Sequence, residues 1–222
     1  MNAIYIDTEV NSLEAREPIE VAWRDFSEAG TFIQRFRPEG EIEAGAALVH
    51  GILPCDLEDC PPASEAPAFV PKAKYWIGHN IDFDWGVLGS PDSVKRICTL
   101  ALCRHLWPEI LSHKLGALVY ESMDLVPEAR ELLENAHAAD ADVNFLSDII
   151  LPEIYAKAFD GKEPTPAALW KLSEVARIPT TMPFGKHRGD LIVDLPRSYR
   201  TWILKQTDFD PYLVEAVEKS LA

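Results

Sequence analysis

Positive charge is what this sequence is short of. Lys and Arg number 21 against 36 Asp and Glu, a formal net charge of −15 at pH 7. Tight, unspecific gripping of long duplexes relies on Lys and Arg displacing counterions from phosphates, and so large an acidic excess argues against it. The deficit is uneven. Residues 1–162 hold 13 Lys and Arg against 28 Asp and Glu, while residues 163–222 hold 8 against 8. The acidity therefore belongs to the first part, where bound cations could offset some of it. Long apolar runs are also missing: no stretch of about 18 apolar residues exists, so no membrane-spanning helix is expected. The N-terminus reaches an acid at Asp7 without a basic stretch before it, which gives no sign of a signal peptide. A cytoplasmic protein with no membrane partner is the expectation.

Cysteine is scarce as well. Cys55 and Cys60 form one pair, Cys98 and Cys103 another, and neither has the two-residue gap typical of zinc knuckles. Reduced, mostly structural thiols fit better than a zinc site. Internal repeats and low-complexity segments are absent. What remains is 222 residues, 47% hydrophobic and 26% charged, enough for one ordinary globular domain with a small appendage.

Ala3-Ile4-Tyr5-Ile6 is an apolar run ending in acids, as expected of a buried strand whose C-terminal edge carries polar chemistry. Pro18–Phe26 and Gly30–Pro38 read as two more strands joined by the Ser27-Glu-Ala-Gly turn. A loop rich in Pro and acids, residues 54–67, precedes a helix. Tyr75–Asn80 reads as another strand with a polar end, and residues 84–90 begin a helix. Lys95–Thr99 reads as a strand and Leu100–Leu106 as a helix. Apolar spacing predicts helices over residues 127–135 and 137–159. Residues 160–166 read as a linker, after which Thr165 and Pro166 are a good N-cap and first helical position for a helix to about residue 177. A meander followed by alternating strands and helices gives a mixed sheet flanked by helices, an α/β fold.

Asp7-Thr8-Glu9 puts two carboxylates on one side of an extended segment. Such a pair, if buried, must share a proton or hold a cation, and hard divalent ions such as Mg²⁺ favour these oxygens. Alone it is indistinguishable from a solvated strand end. Two later segments add to it. His79-Asn-Ile-Asp-Phe-Asp84 offers an acid at a strand-to-helix junction, and His137-Ala-Ala-Asp-Ala-Asp142 offers a histidine and an acid near a helix start. Histidine can act as a base near neutral pH.

In this order and at this spacing, the three segments resemble the motifs of the DEDD exonucleases, in the subgroup whose last motif is His-x-x-x-x-Asp. The resemblance implies a ribonuclease-H-like sheet and 3′→5′ hydrolysis of phosphodiester bonds, DNA rather than RNA, releasing 5′-mononucleotides. It implies that Asp7, Glu9, Asp84 and Asp142 hold two Mg²⁺ or Mn²⁺ ions, with His137 as general base. By motif position Asp84 is preferred to Asp82, and Asp142 to Asp140; the two passed over are read as exposed carboxylates. The substrate residues implied are Val10, whose backbone approaches the 3′-hydroxyl, Leu13, which wedges against the terminal bases, and Asn80 and Phe83. Leu13 could equally be core, and His79 with Asn80 could simply fix the strand end. Ser12 stands where many relatives have Gly. Val49-His50-Gly51-Ile52 and the stretch from Ile97 to Pro108 extend the likeness.

Phe184-Gly-Lys-His-Arg-Gly189, followed by Leu195-Pro196, Tyr199 and Trp202, is similar to a small module attached to members of this family. Residues 1–160 are thus read as the exonuclease domain and 165–222 as a small α+β module. In that module the turn at 187–190 lies between strands, and a helix carries Tyr199, Trp202 and Ile203 on one face. The aromatic residues are expected in its core rather than as base-stacking surfaces, because so small a unit needs them there. Lys186, His187 and Arg188 are candidate phosphate contacts. Three alternatives stay open: an exoribonuclease or oligoribonuclease of the same superfamily, a non-catalytic nucleic-acid-binding or scaffold protein, and a phosphohydrolase of free nucleotides.

Overall fold

The N-terminal apolar run forms β1 (Ala3–Val10), the middle strand of a five-stranded sheet ordered β3-β2-β1-β4-β5. The computed structural model describes residues 2–135, 138–206 and 209–221. Strands β2 (Pro18–Asp25) and β3 (Thr31–Arg35) form the antiparallel meander, turning through Gly30 at φ +104°. Strands β4 (Tyr75–Gly78) and β5 (Lys95–Cys98) continue from β1 in parallel. The sheet is mixed, as the sequence pattern predicts.

Helices then cover both faces. In chain order they are α1 (Ala44–His50), α2 (Ala66–Phe69), α3 (Asp82–Val87), α4 (Thr99–Leu106), α5 (Leu115–Ser122), α6 (Pro127–Leu132), α7 (Ala139–Phe145), α8 (Leu151–Ala158), α9 (Pro166–Arg177), α10 (Arg197–Ile203) and α11 (Pro211–Leu221). Alternation along β1 divides the core in two. Ile4 and Ile6 pack with Val21, Phe36, Trp76 and Ile81 on the side of α2 and α3. Ala3 and Tyr5 pack with Ile77, Leu102, Val143, Ile154 and Leu169 on the side of α4, α7, α8 and α9.

Some elements depart from the sequence reading. The loop over 54–67 contains two 3₁₀ turns, and α1 was not foreseen. The long helix begins at Ala139 and is interrupted by a π-helical turn, Leu146–Ile150, before α8. Pro152 explains the interruption: its ring cannot fit under a regular helical turn, and the wider turn just before it makes room. The Thr165 cap forms as expected, accepting from the Ala168 amide at 3.3 Å.

Among the described residues, the β part of the expected C-terminal α+β module shrinks to one antiparallel bridge, Thr181↔Leu191. Gly185 and Gly189, both at positive φ, curl the chain between 182 and 190 too tightly for a ladder. The other regular elements of this region are helices and 3₁₀ turns. Its core is aliphatic, built from Met182, Ile192, Leu195, Ile203, Leu213 and Val217. Of the aromatic residues expected in that core, Trp202 is exposed, while Tyr199 is half-buried and packs against it. Among the described residues, no helix is long and apolar enough to cross a membrane.

Candidate active site

Asp7 and Glu9 alternate on β1 and so point to one face, the face that α7 crosses. Helix α7 brings Asp142 over them. Carboxylate oxygens of Asp7, Glu9 and Asp142 lie within 4.8 Å of one another, a grouping able to hold a metal ion. Asp84 enters from the first turn of α3, buried, and its Oδ1 accepts a hydrogen bond from the Thr8 hydroxyl at 2.8 Å. The turn that delivers it is tight. At Gly78, the end of β4, a Cβ would meet the Ile81 side chain at 2.7 Å and the Ile6 carbonyl at 3.0 Å. Asn80 then adopts φ +68°, and its carbonyl accepts from Phe83 N at 2.9 Å.

Like charges this close disfavour ionisation. Burial, then Asp84, Asp142, Glu9 and Glu20 hold the Asp7 carboxyl well above its usual range. Burial, then Asp142, Glu20 and Asp84 push Glu9 up to about 8. Burial raises Asp84 to about 7, against the lowering effect of the Thr8 hydroxyl and two backbone amides. The site thus carries fewer negative charges at neutral pH than its four acids suggest, and a divalent cation would displace protons on entering.

Glu20 is the residue the sequence reading missed. It lies opposite Glu9 in the β1–β2 register and is buried. One oxygen accepts from the Ala139 amide at 3.1 Å and the other from Arg35 Nε at 2.8 Å. Ala139 is the first residue of α7, and Ala138 before it supplies no side-chain cap. Glu20 therefore caps, from the sheet, the helix that carries Asp142. Its signal was a charged residue inside the apolar run Pro18-Ile-Glu-Val-Ala.

Beyond Glu9 a bulge shifts the register at Val10 and leads into an ordered loop. Asn11 and Glu17 bond each other through side chains and backbone, and the buried Ser12 hydroxyl accepts from Ala15 N at 2.9 Å. On this frame Leu13 is 74% exposed, so it is not a core residue. Val10 is buried, Asn80 exposed, and Phe83 half-buried under the Arg16 guanidinium. The His79 ring is bound at both nitrogens, to the Thr99 hydroxyl at 3.0 Å and the His113 carbonyl at 2.7 Å. Burial lowers its pKa to about 4, so it is neutral at pH 7, donating from Nε2 to the carbonyl and accepting at Nδ1. His79 fixes the strand end.

The reading of Asp82 as an exposed carboxylate is overturned. It accepts from Arg96 at 2.7 Å, from Arg177 at 2.6 Å and from the Tyr212 hydroxyl at 3.0 Å. Asp140 is half-buried and accepts from the Ala141 amide. His137 lies outside the described residues. No cysteine joins the metal-capable group among the described residues, and Cys98 and Cys103 are buried free thiols.

Comparison with known proteins places this geometry. Exodeoxyribonuclease 10 of Escherichia coli strain K12 is 23% identical over 175 residues, 78% of this chain and 76% of the relative. A solved structure of exonuclease X in complex with 5′-overhanging duplex DNA matches with a TM-score of 0.61 and 23% identity, covering 77% of this chain and 99% of that one. Exonuclease I of E. coli, in a zinc-ion-bound complex with single-stranded DNA, matches with a TM-score of 0.53 and 20% identity, over 75% of this chain and 42% of that one. The fold is therefore the ribonuclease-H-like α/β fold of these exonucleases. Residues 171–211 match a family described as "Putative quorum-sensing-regulated virulence factor".

Proposed function

We propose that this exonuclease X-like chain is a metal-dependent 3′→5′ exonuclease acting on DNA. The observation that carries the reading is the meeting of Asp7, Glu9 and Asp142 at the end of β1, with Asp84 beside them, in a fold shared with exonuclease X. Curated and structural relatives named as exodeoxyribonuclease or solved with DNA support DNA as the substrate.

In this reading the four acids hold two Mg²⁺ or Mn²⁺ ions. Close-set oxygens of hard character fit such ions, and their shared protons leave when the cations arrive. When bound, the ions supply an activated water and stabilise the leaving oxygen of the scissile phosphodiester. The protein's own groups do the rest. Thr8 holds the Asp84 carboxylate in one orientation, and Glu20 fixes the helix that presents Asp142. His137, five residues before Asp142, accepts the proton of the attacking water. Leu13 wedges against the terminal base, its exposure on an otherwise bonded loop supporting that role, while Val10, Asn80 and Phe83 line the terminal nucleotide. Residues 1–160 form the nuclease domain and 165–222 an accessory module.

The test is digestion of 3′- and 5′-labelled single- and double-stranded DNA and RNA, with and without Mg²⁺, at low salt. We expect Mg²⁺-dependent release of labelled mononucleotide from 3′-labelled DNA and progressive shortening of the 5′-labelled strand. Release confined to RNA, or cleavage of free nucleotide esters without oligonucleotide degradation, would overturn the reading.

A further inference from the structure

The acidic sum of this chain conceals a cationic, aromatic face. Between Phe184 and Lys205 the sequence holds five Lys and Arg against two Asp, the reverse of the balance elsewhere. One of those acids, Asp190, is already paired with His187 at 2.9 Å. Aromatic rings of this stretch, joined by Phe209 beyond it, run in unbroken contact. His187 lies against Tyr199 with centroids 4.6 Å apart, and Tyr199 stacks on Trp202 at 5.4 Å and 25°. Trp202 meets Phe209 edge-on at 5.7 Å, and Phe209 meets Phe184 at 5.4 Å.

The buried core of this region takes in neither Trp202 nor Phe184: aliphatic side chains fill it, with Tyr199 and Phe209 packed against it. Trp202 nonetheless stays 46% exposed and Phe184 41%. Cations frame them. Lys186 stands over the Tyr199 ring at 5.6 Å. Arg197 and Lys205 border a shallow concavity of about 460 Å³ with Trp202, Ser198 and Thr201. Arg197, Lys205 and Lys186 are exposed, and no hydrogen bond or ion pair to another described residue engages their charged ends.

The face is also joined to the catalytic edge. Arg188, on the turn that carries Lys186 and His187, donates to the carbonyls of Ile110 and Leu111. That loop continues to His113, whose carbonyl accepts from His79 at the end of β4. A cleft of about 390 Å³ has Asn80, Arg188 and Gly189 among its lining residues.

We propose that this face binds single-stranded nucleic acid, its bases stacking on Trp202 and Phe184 and its phosphates meeting Lys186, Arg197 and Lys205. Exposed rings flanked by unpaired cations are the chemistry that holds a single strand without reading its sequence. A protein partner would have little use for unpaired cations distributed along the rings, whereas a phosphodiester backbone has one anion per nucleotide to meet them. Resting on the exonuclease reading, the face holds the strand upstream of the 3′ end that enters the acidic site. It supplies locally the positive charge that the nuclease domain lacks.

The experiment uses the full chain and a fluorescein-labelled oligothymidylate of about 16 nucleotides, long enough for one single-strand site. Affinity is read by anisotropy in EDTA, where no hydrolysis occurs. Trp202→Ala is expected to weaken binding about tenfold, the scale of losing one stacked base. Arg197→Glu with Lys205→Glu, both on the surface and so safe for the fold, is expected to weaken it at least as much and to flatten its salt dependence. Hydrolysis of the nitrophenyl ester of thymidine phosphate, too small to span both sites, should keep its wild-type rate in both variants. Wild-type affinity in both variants overturns the proposal and leaves the face to a protein partner. Loss in the charge variant alone overturns the stacking platform, and if Trp202→Ala fails to fold by circular dichroism, the charge variant decides. Strand binding by a chain that hydrolyses no substrate in Mg²⁺ would sink the exonuclease reading instead and leave the platform standing.

Discussion

Asp7 is surrounded by charge of its own sign, and its protonation follows from that. With its folded pKa held above the unfolded value, the native protein binds more protons than the unfolded chain across the interval between them. Glu9, pushed up to about 8, and Asp84, raised to about 7, behave alike. Their contribution is fully present below the ordinary carboxylate range and is lost as pH rises through those values. The thermal midpoint in EDTA should therefore fall between about pH 5 and pH 8, and Mg²⁺ added at pH 8 should raise it again through binding to the native state alone. A midpoint that is flat with pH, or insensitive to Mg²⁺, would contradict this account. Asp7→Asn separates function from fold at the same position. It should lower 3′-end hydrolysis by at least about 10³-fold. It should also raise the midpoint in EDTA at pH 8, by about 2–4 °C for each kcal/mol of repulsion removed. At pH 5 that gain should vanish. The four acids could be read from the sequence because motif order set them apart. Asp82 could not: its type and spacing are those of a surface carboxylate, and only the arrival of Arg177 and Tyr212, distant in sequence, makes it a half-buried junction.

Among elements, α7 depends on a residue outside itself. Its N-terminus lacks a side-chain cap of its own, and Glu20 on β2 serves instead. Removing that carboxylate leaves the Ala139 amide without its partner, a loss on the scale of a helix cap, about 1 kcal/mol. It also removes one negative charge facing Asp7 and Glu9, which works in the opposite direction when those acids are ionised. Glu20→Ala should thus cost more stability at pH 5 than at pH 8. Hydrolysis should drop about tenfold or more, because Asp142 rides on the freed helix end and small misplacements weigh heavily on catalysis. Equal destabilisation at both pH values, or unchanged turnover, would refute the capping role. The strands β1 to β5 were legible because alternation and turn residues agree there. The C-terminal region was not. Its short apolar runs around 181–193 look like strands, but the positive φ of Gly185 and Gly189 bends them away from pairing. Its aromatic residues looked like core for want of size, and the aliphatic cluster under α10 and α11 filled that need.

At the scale of the molecule, one carboxylate gathers several of the bonds that tie the C-terminal region to the catalytic sheet. Asp82 on α3 accepts from Arg96 on β5, Arg177 on α9 and Tyr212 on α11, so elements from the middle and the C-terminal part of the chain converge two residues before Asp84. The Arg177 side chain is only 3% exposed, and its other acidic neighbour, Glu174, stands at 3.4 Å with half its surface in water. A buried guanidinium that loses its main partner keeps its desolvation cost without the compensating attraction. Asp82→Ala should therefore cost about 3 kcal/mol, the lower end of the range for breaking a buried pair. Asp82→Asn, which still accepts a hydrogen bond, should cost less. Because the same carboxylate fixes the first turn of α3, hydrolysis should fall in Asp82→Ala even at temperatures where the protein remains folded. Tyr212→Phe removes one of the three donors and, with it, the hydroxyl that accepts from Arg177 Nη1 at 2.7 Å. A double-mutant cycle between the two positions should give a coupling above about 0.5 kcal/mol, the threshold that separates contacting residues from independent ones. Strict additivity, or an Asp82→Ala protein as stable as the parent, would mean that Asp82 is incidental to the docking of the C-terminal region.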